Sequence, residues 1–413
     1  MNDDFYLDTE NKKDLCEDNS PESSISSVQF GDVEIDLTEE KQTEENQNTR
    51  FENVENSSDF STEQKSFNSA QNSGFNPYFQ QNYYGYQQSY QPFFENEEAQ
   101  KLYYEKKAVK KTANHIGLGL ILFYAVLVVF SNLLSFFALN KNVYDFVNSD
   151  VGNLELNIIL TALGFGLAGL FILKMQGTRL DNLLSFAPPK KKTLLPAVMV
   201  GVGFCYVANI VVSLVMARFE SVLPFAQPEL DLPKGVLGFI LSTLSVAVAP
   251  ALIEEFLFRG VIMGSLLKFS KPFAIFTSSL LFAFIHGNLV QIPFAFLVGL
   301  VIGTMVIETN SFWTGVIIHF VNNFLSICQD YLGTCVSDEL QNVIFLFLLA
   351  IIILMGFFGY YILSIRNEKL FLFEKTTHLS GSIKKFGWFS STVTIIIYYV
   401  ITCIEIGLIQ ISV

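Results

Sequence analysis

Nine apolar runs dominate this sequence from residue 115 onward, at about 115–139, 154–175, 194–217, 235–268, 272–287, 291–308, 312–331, 340–365 and 388–411. All but one reach the length of about 18 residues at which an apolar run can cross a bilayer as a helix. Hydrocarbon offers backbone groups no water, so a crossing segment must satisfy them internally. The expected fold is therefore all-α, a polytopic transmembrane helix bundle of about eight to nine spans. The run at 272–287 is short for a full crossing, and the count turns on it.

The net charge of −13 conceals two unlike segments. Residues 1–100 hold 22 acidic and 5 basic side chains, a net −17, whereas the remainder holds 17 and 21, a net +4. Residues 1–98 are rich in Asp, Glu, Asn, Gln and Ser, too polar to offset ordering entropy by burial, and are expected to form a disordered acidic tail. Within it, residues 75–94 (FNPYFQQNYYGYQQSYQPFF) interleave aromatics with Asn and Gln, a composition that suits a protein partner or a linker with no role. Residues 99–114 form a basic juxtamembrane collar with Lys101, Lys106, Lys107, Lys110 and Lys111. The membrane body then runs over 115–331, and further transmembrane helices over 332–413. An acidic tail on a mildly basic body argues against nucleic acid as a partner. The start has no apolar h-region, so no cleaved signal peptide is expected. Basic loops alternate with acidic ones along the spans, which sets the N-terminus in the cytoplasm, at the cell membrane if the host is bacterial. No CxxC pair occurs, and Cys328 and Cys335 flank one span end, where a disulfide is one reading.

Ionisable groups are expensive inside a membrane and mark function by default. Three fall within six positions here, Glu254, Glu255 and Arg259. Glu255 and Arg259 are four apart on one helical face, with the acid leading, the favourable order for an ion pair. Glu254 points about 100° away and has no local counter-ion, which suits it to proton transfer. Pro250 removes a backbone donor just before it, freeing carbonyls and room for water. Glu254 and His286 stand sixteen residues either side of the turn near residue 270, so an antiparallel pair brings them to one depth, about 24 Å along the axis. His319 and Asn323 share a helical face and reach the same stratum. Their competing reading is interhelical hydrogen-bond glue. Asn322 lies one position off that face and is expected to pack elsewhere. Glu405 is a further intramembrane carboxyl, expected to meet a polar partner rather than join catalysis.

Gly164-Phe165-Gly166-Leu167-Ala168-Gly169 matches the dinucleotide fingerprint but sits inside an apolar span, where small residues serve helix packing. HExxH, GxSG and GxGD motifs are absent. In contrast, Glu254-Glu255-x-x-x-Arg259, Phe282-x-x-x-His286 and His319-x-x-x-Asn323 resemble the three signature motifs of the CAAX-protease and bacteriocin-processing (CPBP, or Abi) intramembrane endopeptidases, which include the type II CAAX prenyl endopeptidases. The motif core covers about 235–331. The resemblance implies a glutamate-dependent, metal-independent peptidase. In it Glu254 with His286 activates water, His319 with Asn323 stabilises the oxyanion, and Glu255 with Arg259 supports the site. These residue types also meet the needs of amide hydrolysis: a base, a proton donor and oxyanion donors. The expected partners are the lipid bilayer and a membrane-associated peptide. Two other readings stay open. One is zinc held by Glu254, His286 and His319, which are valid ligand types. The other is a scaffold or bacteriocin self-immunity protein without turnover.

Overall fold

A computed structural model describes residues 27–30, 33–36, 96–220, 232–365 and 380–411, divided between two units, 1–89 and 90–413. The first unit contains an antiparallel hairpin, β1 (Ser27–Phe30) and β2 (Val33–Asp36), with Val28 opposite Ile35 and Phe30 opposite Val33. Both strands alternate polar and apolar residues, the period-two pattern of a strand. The rest of the tail expected to be disordered, including residues 75–94, lies outside the described residues.

The second unit is helical throughout its regular structure. It comprises α1 (Glu97–Phe137), α2 (Lys141–Val147), α3 (Asp150–Gln176) and α4 (Lys191–Glu220). Next come α5 (Gly235–Leu267), α6 (Lys271–Phe284), α7 (Gln291–Thr309) and α8 (Phe312–Gly333). The last three are α9 (Asp338–Ile365), α10 (Ser382–Ser390) and α11 (Val393–Ile411). Every expected apolar run is helical. Six helices are long and apolar enough to cross a membrane, or seven with α10 and α11 taken as one broken span. The protein is an integral membrane protein.

The remaining two runs show why the count was ambiguous. With 14 residues, α6 extends about 21 Å, short of the roughly 30 Å of hydrocarbon. Although 22 residues long, α8 carries His319, Asn322, Asn323 and Gln329 and is less apolar. The final run is corrected: instead of one straight span over 388–411, α10 and α11 meet at 75°. The hydroxyls of Ser391 and Thr392 bond back to the carbonyls of Trp388 and Phe389, competing with the helix at the corner.

Contacts tie the basic elements to one face. Lys385 Nζ pairs with Glu105 at 3.1 Å and donates to the Phe269 carbonyl at 2.6 Å, joining α10, α1 and the α5–α6 turn. Burial, with repulsion from Lys111 second, holds the Lys268 ammonium of that turn below its ordinary value. The α3–α4 loop joins this face where its Ser185 carbonyl accepts from Phe312 N at 3.0 Å. The glycines of the fingerprint-like run serve packing: a Cβ on Gly169 would run into the Phe256 ring of α5, and one on Gly164 would lie 2.9 Å from Phe123.

Candidate active site

Pro250 does not break α5. The helix widens into π-type turns over Thr243–Val248 and Phe256–Met263, on either side of an α stretch, Ala249–Glu255, that carries both glutamates. Proline has no N–H to give, and two carbonyls one turn earlier find side-chain donors instead. Ser245 O accepts from Asn157 Nδ2 at 3.3 Å, and Val246 O from Asn323 Nδ2 at 2.9 Å. The strand of chain before Glu254 is thereby held by amides from α3 and α8.

Glu255 and Arg259 pair as their spacing predicts, Oε1 to Nη1 at 2.7 Å, with both side chains sealed from solvent. Arg259 also reaches the Gly299 carbonyl at 3.4 Å and stands 4.5 Å over the Phe282 ring, where cation and π face attract. The same Glu255 Oε1 lies 2.9 Å from His319 Nδ1. A carboxylate only accepts, so Nδ1 carries the proton there and the other ring nitrogen is left for chemistry. That nitrogen, Nε2, lies 4.0 Å from Glu254 Oε2. Phe282 packs edge-on to both imidazoles, at 4.9 Å from His286 and 6.0 Å from His319.

His286 sits just past the end of α6, where Gly287 turns back with φ 61°. Its Nδ1 is 2.8 Å from the Phe282 carbonyl, which accepts only, so the proton is on Nδ1 and Nε2 is the acceptor in the neutral ring. Gly287 is required twice, for its positive φ and because a Cβ would come within 2.7 Å of the Glu405 carboxyl carbon. Glu405 accepts from Tyr124 Oη at 2.8 Å, the polar partner expected for it.

Glu254, His286, His319 and Asn323 line a single cavity of about 490 Å³. The four residues expected from separate motifs therefore converge. Asn322 is a correction: it lines the same cavity and donates to Asn323 Oδ1 at 3.2 Å, because a wide cavity admits neighbouring helical positions. Sequence reasoning missed Asn157 and Asn209, which α3 and α4 bring to the cavity. Their one signal was an amide within an apolar span. Among the described residues, no three His, Cys, Asp or Glu side chains are grouped as a metal ion would need. Cys328 and Cys335 are free thiols.

Comparison with known proteins follows the motifs. Residues 236–325 match the family model of type II CAAX prenyl endopeptidases, Rce1-like. The chain is 29% identical over 143 residues to the membrane-embedded CAAX protease MroQ of Staphylococcus aureus (strain USA300), an alignment spanning 32% of this chain and 57% of that protein. No solved structure matches. Through the segment that builds its cavity, α5 to α8, the chain is similar to the Rce1-like CAAX endopeptidases, a family of membrane proteases.

Proposed function

We propose that the protein is an intramembrane endopeptidase that hydrolyses a peptide bond of a membrane-associated peptide or protein, without a metal. One observation carries this reading: a glutamate, two oriented imidazoles and a carboxamide from three separate helices share one cavity at membrane depth. Similarity to a protein named as a CAAX protease supports the reaction class.

In the proposed reaction Glu254 takes a proton from water as its oxygen attacks the scissile carbonyl carbon. His286 Nε2, left as acceptor by the Nδ1 contact, shares that proton and passes it to the leaving amine as the C–N bond breaks. His319, held by Glu255 through Nδ1, donates from Nε2 to the oxyanion in its doubly protonated form. Asn323 already gives one N–H to Val246, and its second joins His319. Glu255 and Arg259 position His319. By the excess of basic residues on one face, that face is proposed to be cytoplasmic.

The test is the purified protein with a library of membrane-tethered peptides. Cleavage by wild type and its loss in Glu254→Ala are expected, and wild-type cleavage by that variant would remove the assigned base. Full activity after exhaustive chelation is also expected; loss restored by added zinc would overturn the metal-free reaction.

A further inference from the structure

We propose that substrate reaches the cavity from the membrane face opposite the lysine collar, as an extended uncharged segment whose backbone is held by Asn157, Asn209 and Gln329. The occupant's identity as a peptide rests on the reading above; the route rests on geometry alone.

On the collar side a cavity of about 500 Å³ opens beside Lys190 and Asn310, but it shares no lining residue with the cavity that holds Glu254. Below the glutamates, Phe258, Ile262, Met263, Ile302 and Val306 are all fully buried, and the Glu255–Arg259 pair fills the layer between them and the cavity. Nothing of that side lines the cavity. On the other side the lining climbs away from the collar. Asn209 lies about 27 Å along α4 from its collar-side end at Lys191, and Gln329 about 25 Å along α8 from Phe312. Asn157 is about 28 Å from the collar-side end of α3. The truncated α6 leaves this half unfilled, since the chain turns back at His286 rather than continuing to the far face. Asn157 and Asn209 are exposed; Asn209 interrupts an apolar stretch of α4, and Asn157 follows Asn153 and Glu155 in the polar start of α3. Amides at such positions are costly against lipid and settle beside water or a polar guest.

The lining also selects. A carboxamide offers both a donor and an acceptor and so complements a peptide backbone in either direction. Asn209 Oδ1 accepts from Ser213, leaving its NH2 for a guest, and Asn157 donates to Ser245, leaving its oxygen. Among the described residues no Lys or Arg lines the cavity, and Glu254 is its one carboxylate. An acidic side chain would meet Glu254 with no Lys or Arg in the lining to offset it, and a free C-terminal carboxylate would do the same. An internal, neutral segment fits.

Sidedness is read by thiol labelling in vesicles of known orientation. The parent has Cys16, Cys328, Cys335 and Cys403 changed to Ser and keeps buried Cys205 as the blank. Asn209→Cys is expected to react with an impermeant maleimide from the face opposite that at which Lys111→Cys reacts. Reaction from the collar face, or from neither face, overturns the route. Labelling needs no turnover, so a protein that cleaves nothing would sink the peptidase reading while this result stands. Selection is read with a decapeptide library of neutral residues. Asn209→Leu and Gln329→Leu should raise KM with kcat kept. An Asp beside the scissile bond should lower kcat/KM about tenfold or more. An unchanged KM in both variants overturns the holding role, and tolerance of Asp overturns the selection.

Discussion

Glu105–Lys385 and Glu255–Arg259 are both carboxylate–cation pairs sealed inside the bundle, yet they differ in what remains unspent. In the first, Glu105 Oε2 accepts from Ser380 at 2.7 Å and Lys385 fills its remaining reach with the Phe269 carbonyl. That cluster pins the start of α1 to α10 and the α5–α6 turn, and none of its side chains lines the cavity that holds Glu254. In the second, Glu255 spends one oxygen on both Arg259 and His319, while Oε2 has no hydrogen-bond partner. The His319 ring it orients turns its free nitrogen toward Glu254 and the cavity. Burial of charge alone therefore does not mark a site. A buried charge that orients a titratable ring beside open space does.

The comparison can be broken most sharply at Glu254. Glu254→Gln keeps shape and hydrogen bonding but removes the base, and should cut turnover by about 10²–10⁴-fold in a cleavage assay with unaltered thermal stability. Loss of fold instead would make Glu254 structural like Glu105. Next, Arg259→Met and Lys385→Met should each destabilise by about 3–5 kcal/mol, because each strands a buried carboxylate. Only Arg259→Met should also lower kcat per folded molecule, measured after separating folded protein by size. Equal loss of kcat in both would erase the distinction between the pairs. Asn323→Leu should cost about 1–3 kcal/mol in a denaturation midpoint by leaving the Val246 carbonyl short of its donor, in addition to its effect on turnover. A smaller effect is expected at Gly315, where a Cβ would stand 3.0 Å from Glu255 Oε2 and 2.7 Å from Val306. Gly315→Ala should shift His319 through Glu255 and lower kcat about tenfold, less than a full ångström of misplacement costs. Gly166→Ala, with open space around it, should be silent.

Particular residues show how far the sequence carries. The Glu255–Arg259 pair was legible because a spacing of four is a property of one helix. The shared depth of Glu254 and His286 followed from counting to their common turn, and the short α6 explained itself as a helix that stops at that depth. The 75° break before α11 was not legible, because Ser391 and Thr392 are ordinary in a helix until their hydroxyls turn back. Nor was the role of Asn157: a single amide in an apolar run gives no hint of which carbonyl it meets. The strands at Ser27–Asp36 are alternating in sequence but short, and a composition-level reading of the tail passed over them.

The sequence by itself determined that this is a helical membrane protein and which side chains interrupt its apolar runs, because helix length, periodicity and spacing are local properties of the chain. Tertiary structure alone decided that His319 leans on Glu255, that Asn323 holds Val246, that Glu405 stands beside Gly287, and that Asn157 and Asn209 line the cavity. Those choices depend on the rotation and stagger of one helix against another. Both are set by side-chain packing across the bundle, and no periodicity within a single helix records them.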